Sequence, residues 1–341
     1  MLKRYMVILT IVILISTYCI ACVDKPHRYS LSTIALGTII TITVDATTST
    51  KAREAIEDAF SKIKYIESIM SPYNKDSDVY AINNNLSTTV RKETFDVIKL
   101  SLELSHKTNG LFDITFASVG QFWQFQSPSF TPPSPDLIKQ YKQCVSYTYI
   151  HCNEKNFEIT KDKPCITIGL GGIAKGYAIA LAVKTLKKHG ITEGIVEAGG
   201  DLEVIGDNYA KGYTVGIKHP RDDGIIGTVK LFNGQSIATS GDYERFAIYK
   251  GKRYHHIFNP KTGQPAKSDI ISVSVITTNA ALCDGYATAL FIMGVHQALA
   301  FLLKQKELHL QCIIIDKSLN VYISKSLINT AHFNNLSVIA F

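Results

Sequence analysis

Three short segments hold residue types whose spacing suits phosphate and divalent-metal chemistry. The first is Gly169, Leu170, Gly171, Gly172, Ile173, Ala174, Lys175, Gly176, lying between an apolar stretch and a helical pattern. Glycines let main-chain amides approach a ligand, and a helix amino terminus offers unpaired N–H donors and a positive dipole end to an anion. A bare tight turn carries the same glycines. Gly169, Gly171 and Ala174 also satisfy a dinucleotide fingerprint, with Glu193 and Glu197 near the later acidic position. In the second segment, residues 277–294, Asp284 stands among Ala281, Leu282, Tyr286, Ala289, Leu290, Phe291 and Met293. A helix apolar nearly all round is buried, so this carboxylate must be paired, protonated or bound to a cation. Thr288 lies one turn later on the same face. Two oxygen ligands at that spacing suit Mg²⁺, which keeps several waters and takes few protein ligands. An aspartate hydrogen-bonded to backbone is the ordinary alternative. In the third, residues 254–263, His255 and His256 are adjacent on a strand and face opposite ways, so only one can face a site. Just upstream, Ser240 has no Gly-x-Ser-x-Gly elbow, which disfavours a hydrolase nucleophile.

The elements that must position these residues follow from periodicity. Residues 29–44 are rich in Ile and Thr around Gly37 and predict a bent strand or two strands in succession. Helical spacing follows over 51–70 and again over 93–107, with Asn109 and Gly110 as a carboxyl-terminal cap. A Ser and Pro loop at 126–135, a helix over 135–143 and a hairpin over 145–159 come next. A strand at 165–168, the glycine turn and a helix over 173–189 lead to short strands over 194–248, and a last helix spans 280–293. The strands after Glu197 arrive without the intervening helices that a parallel nucleotide sheet demands. The expected fold is therefore α+β, a largely antiparallel sheet with segregated helices.

At the amino terminus Lys3 and Arg4 precede an apolar run, and small or polar residues lead to Ala21 and Cys22. That order is a secretory signal. Ala21 before Cys22 suits a lipoprotein cleavage point, although Cys19 stands where such signals usually carry Leu. About 15 apolar residues fall short of the roughly 20 that span a bilayer. The expected organisation is a lipoprotein signal over 1–21 and a single domain over 22–341, with room for two subdomains. Removing the two basic residues of 1–21 takes the formal charge from +7 to +5. No run of Lys and Arg with interleaved aromatics occurs, so nucleic acid is an unexpected partner. Five cysteines remain in the folded part. Cys144 and Cys152 flank an alternating stretch and can pair outside the cytoplasm, but an odd count leaves free core cysteines as the expectation.

Taken in order, these segments resemble the ApbE family of flavin transferases. Leu36, Gly37, Thr38 is similar to the family's Met-Gly-Thr, and 70–83, with Tyr73, Ser77 and Asn83, to its polar loop after the first helix. Gly110, Leu111, Phe112, Asp113, Ile114, Thr115 is similar to its Gly-x-Phe-Asp motif. The Gly-Gly-Ile-Ala-Lys-Gly turn, Gly199 and Gly200 with Asp201, 240–245, 256–263 and 283–294 complete the series. The resemblance covers about residues 30–295. It departs at Leu36, where the family usually has Met, and at Gly169, where it has Asp.

The resemblance implies a T-fold-like architecture and a transferase that takes FAD as substrate. It moves FMN onto a Thr or Ser hydroxyl of an acceptor protein, such as a subunit of a membrane redox complex, and releases AMP. It implies Mg²⁺ held by the Gly172 carbonyl, Asp284 and Thr288, and His256 as the base that takes the hydroxyl proton. Leu36, Tyr73, Leu111, Phe112, Asp113, Lys175 and Ile257 are the implied flavin nucleotide contacts. With lipid on Cys22, the enzyme is expected on the periplasmic side of the inner membrane. FAD hydrolysis, a Rossmann-type oxidoreductase and a non-catalytic flavin-binding lipoprotein are the alternatives.

Overall fold

The structure, a computed structural model, describes residues 25–125, 127, 129–334 and 336–341. The expected signal segment and Cys22 lie outside these residues. A nine-stranded sheet forms the centre. Its strands are β1 His27–Ala35, β2 Thr38–Ala46, β3 Gly194–Ala198, β4 Asp201–Ile205, β5 Ser236–Gly241, β6 Ile270–Thr277, β7 Gln311–Asp316, β8 Val321–Ile323 and β9 Val338–Ala340. They lie side by side in chain order. Each neighbouring pair is antiparallel except β8 with β9. That topology has no βαβ crossover at the glycine segment, so the fingerprint spacing there serves another purpose.

Alternation gives the sheet two apolar faces. On β2, Ile40, Ile42, Val44 and Ala46 are buried. They meet helices α1 Ser49–Met70, α2 Lys92–Lys107, α3 Ala174–Lys188 and α4 Ala280–Met293 in one core. Leu202 and Val204 of β4 point the other way, into a second core closed by the strands Tyr213–Lys218, Ile225–Leu231 and Ala331–Phe333. Thr48 caps α1 by accepting from the Lys51 N–H at 3.2 Å, and Asn279 caps α4 by accepting from Leu282 at 3.2 Å. Helix α4 is buried nearly all round, Leu290 and Phe291 included, and each such side chain contributes roughly 1.5–3 kcal/mol by leaving water. Helices α3 and α4 cross at Gly176, where a Cβ would fall 2.1 Å from the Ala280 carbonyl oxygen.

Three expectations need correction. Residues 165–168 are not a strand, because side chains stand in for a neighbouring strand. The Ile168 N–H donates to Asn83 Oδ1 at 2.7 Å while Asn83 Nδ2 donates to Ile168 O at 3.1 Å, and the Thr167 N–H donates to Ser118 Oγ at 2.9 Å. The start of 145–159 is a 3₁₀ turn, Tyr147–Tyr149, before the hairpin strands Ile150–Asn153 and Glu158–Lys161. Among the cysteines, Cys144 pairs with Cys165, leaving Cys152, Cys283 and Cys312 free. Chain folding brings Cys144 beside the segment entering the glycine loop, a proximity that spacing alone does not encode.

Candidate active site

Helix α3 begins at the glycine loop without a side-chain cap. The Ala174 N–H donates to Leu170 O at 2.8 Å, so the uncapped amides that an anion could meet are those of Lys175 and Gly176. A Cβ on Gly171 would meet nothing within 4 Å, so the loop faces open space there. One on Gly172 would lie 3.3 Å from the Phe112 ring and 3.9 Å from Thr288 Oγ1. The loop therefore rests on Phe112 and faces the outer side of α4. Gly169 donates its N–H to Ile114 O at 2.9 Å, and a side chain there would start 3.2 Å from the Ala117 Cβ. The small residue lets this segment pack close.

Asp284 is 9% exposed, and its Oδ2 has no hydrogen-bond partner. Burial pushes its carboxyl up to about 7; Asp201 adds to the rise and Lys175 opposes it. Thr288 lies one turn on, with Ser240 Oγ 3.5 Å from its Oγ1. Lys175, from the first turn of α3, pairs with Asp201 Oδ2 at the start of β4. Asp201 Oδ1 accepts the Thr239 N–H at 3.3 Å. Burial works against the Lys175 charge, but Asp284 and Asp201 outweigh it and raise its pKa. In the sequence Asp201 stands only as the acid after Gly199 and Gly200, and its pairing with Lys175 spans 26 positions.

The two histidines do not share a strand as expected: the strand Lys252–His255 ends at His255, and His256 lies in the bend just beyond it. His255 Nε2–H donates to Ala266 O at 3.1 Å, its Nδ1 accepts the Ile257 N–H at 3.3 Å, and its ring stands edge-on to Phe291. Both nitrogens serve the fold. His256 donates its backbone N–H at 3.0 Å and its Nδ1–H at 3.1 Å to the same acceptor, Arg245 O. A carbonyl only accepts, so Nδ1 carries the proton and Nε2 keeps its lone pair. Burial, with Arg245, His255 and Lys175 nearby, holds the imidazole down to about 4, and it is neutral at physiological pH.

The remaining expected contacts divide. Tyr73 is 90% exposed and free to cover a ligand. Leu36 occupies the β1–β2 turn at φ +54°, followed by Gly37 at +69°, and its N–H donates to Glu67 Oε1 at 2.7 Å. Leu111 is half-buried against the core beside Phe112. Asp113 serves the loop itself: Oδ1 accepts from the Thr115 N–H and Oγ1 at 2.8 and 2.6 Å, and Oδ2 accepts from the Tyr147 N–H at 2.8 Å. Ile257 is buried with its N–H on His255 and its carbonyl accepting from Ala266 at 2.9 Å. These two hold up the site's walls.

A model described as the ApbE family matches residues 36–314. The FAD:protein FMN transferase of Klebsiella pneumoniae is 26% identical over 301 residues, covering 87% of this chain and 92% of its own. The crystal structure of the ApbE protein of Thermotoga maritima superposes with a TM-score of 0.81 at 32% identity, covering 88% of this chain and 98% of its own. The flavin transferase ApbE of Vibrio cholerae matches in fold, with a TM-score of 0.78 at 24% identity over 88% and 98% of the two chains.

Proposed function

The chain belongs to the ApbE family and is an FAD:protein FMN transferase, and we propose that the space between the glycine loop, α4 and His256 is where FAD is cleaved. The observation that carries this is the buried Asp284 Oδ2, which has no hydrogen-bond partner, one turn from Thr288, whose Oγ1 lies 3.9 Å from a Cβ placed on Gly172. A lone carboxylate with neutral oxygens fits Mg²⁺. It does not suit a metal that needs a His and Cys cage: among the described residues no three or more His, Cys, Asp or Glu side chains gather. Asp284, Thr288 Oγ1 and the Gly172 carbonyl would hold the ion, which when bound neutralises pyrophosphate charge and polarises the phosphorus.

The chain's own groups then do the following. The α3 amino terminus and Lys175 bind the pyrophosphate, with Asp201 fixing the lysine. Tyr73 covers the flavin nucleotide, and Phe112 supports the loop beneath it. His256 Nε2 accepts the proton of an acceptor Thr or Ser hydroxyl as its oxygen bonds to the phosphorus on the FMN side. The bond to the bridging oxygen breaks, and AMP leaves. The acceptor fits a subunit of a membrane redox complex, met on the periplasmic side by an enzyme held through lipid on Cys22.

Incubation with FAD and Mg²⁺, with and without an acceptor domain, tests the reading. AMP with a flavinylated acceptor is expected. AMP and free FMN regardless of acceptor would indicate hydrolysis, and turnover with a nicotinamide cofactor would indicate an oxidoreductase. Chelation and Asp284→Ala should each abolish FAD cleavage, while Thr288→Ala, which removes a neutral ligand, should weaken Mg²⁺ dependence less. Full Mg²⁺-dependent cleavage by Asp284→Ala would remove the metal assignment.

A further inference from the structure

The glycine loop and the first described residues lie at opposite ends of α3. The 15 residues of that helix span about 20 Å at 1.5 Å each. From its carboxyl end the chain turns into β3, whose first residue, Gly194, pairs with Val44 of β2, and Val44 pairs with Tyr29 of β1. Lys25, just before β1, therefore sits at the end of the molecule away from the FAD site.

That end is basic. Lys184, Lys187 and Lys188 are exposed and share one face of α3 by their i, i+3, i+4 spacing. Lys51 Nζ comes within 3.7 Å of a Cβ placed on Gly190, just beyond the helix. Lysine–carboxylate pairs among the described residues involve Lys62, Lys92, Lys99, Lys107, Lys175 and Lys218, and none of these four. Of the neighbouring acids, Asp58 pairs with His189 at 3.0 Å, Asp45 with Arg28 at 2.8 Å, and Glu193 accepts the Asn208 N–H at 2.8 Å, while Glu54, exposed three residues from Lys51, is an acid set against the lysines. The α3 lysines rim a groove of about 470 Å³ with Ala180, Val183 and Glu203 in its lining. Burial pushes the Glu203 carboxyl up to about 7, which limits the negative charge set against the lysines.

We propose that this end docks on an anionic phospholipid surface, so that the FAD site points away from the membrane. The charge favours it, since lysines near such a surface are attracted within a Debye length. Chain connectivity favours it too: Lys25 is three residues from Cys22, so an anchor there holds this end within about 10 Å of the bilayer. The inference rests on the anchor reading for that proximity alone.

The full chain is placed on vesicles of phosphatidylcholine, or of phosphatidylcholine mixed with phosphatidylglycerol, and labelled with an amine-reactive reagent read by mass spectrometry. Labelling of Lys51, Lys184, Lys187 and Lys188 should fall roughly fivefold or more on the anionic vesicles and recover at high salt. Lys218 and Lys252, near Glu244 and His255 at the other end, should react equally on both. Lys184→Glu, Lys187→Glu and Lys188→Glu together should abolish the protection of Lys51 while leaving FAD cleavage in detergent unchanged. Equal labelling on both vesicles overturns the docking face, even where the amino-terminal peptide carries lipid and the anchor itself stands. Protection by inorganic phosphate on phosphatidylcholine alone marks a small-anion site and overturns it as well.

Discussion

His256 differs from its neighbour by one free nitrogen. Because both His255 nitrogens are engaged and His256 Nδ1–H is held by Arg245 O, only Nε2 of His256 is left to take a proton. His256→Ala should lower FMN transfer roughly 10²- to 10⁴-fold with little change in FAD affinity. Weakened FAD binding with near-normal single-turnover transfer at saturating FAD would instead make it a flavin support. Its pKa of about 4 also sets a stability window. The unfolded chain binds the proton near 6.5 and the folded one only near 4, so stability rises with pH between these values and is lost as pH falls through them. Thermal melts of His256→Gln should show a flatter slope over that window than the native protein. An equal slope would mean the imidazole is more hydrated than its surroundings indicate.

Among the elements, the α3–α4 crossing holds the glycine loop against Asp284 and Thr288. Gly176 is the contact point, 2.1 Å from Ala280 O and 2.5 Å from Ala280 C if it carried a Cβ. Backbone cannot yield as a side-chain tip does, so Gly176→Ala should cost roughly 1–3 kcal/mol in urea unfolding and weaken FAD and Mg²⁺ binding together. Gly171→Ala is the complementary variant. Its Cβ meets no protein atom within 4 Å, so stability should hold while FAD affinity falls. If Gly171→Ala bound FAD normally, the loop would not be the phosphate cradle.

Across the whole molecule, the Cys144–Cys165 bond ties the helix Pro135–Lys142 and its connection to the segment entering the glycine loop. With a sequence separation of 21 it should contribute about 3 kcal/mol by restricting the unfolded chain. Cys165→Ser, or the native protein under reductant, should therefore unfold at lower denaturant and bind FAD less tightly, whereas Cys152→Ser should do neither. An unchanged midpoint would show that the bond adds nothing. Such a bond persists in an oxidising compartment.

The residues alone made the local relations legible. Helical spacing put Asp284 one turn from Thr288, and glycines preceding a helical pattern marked a loop that opens a helix. These are relations within a few residues, where backbone geometry leaves one arrangement. The family resemblance joined them in order, and the α+β class followed from strands arriving without crossover helices. Which distant residues meet is a matter of the fold. Asn83 brackets Ile168 across 85 positions, and Lys175 finds Asp201 across the sheet. Cys144 takes Cys165 instead of Cys152. The same register sends the basic end of α3 away from the site. Such pairings depend on which strands lie side by side and how helices cross, and a periodic pattern records which face of an element is buried without naming what covers it.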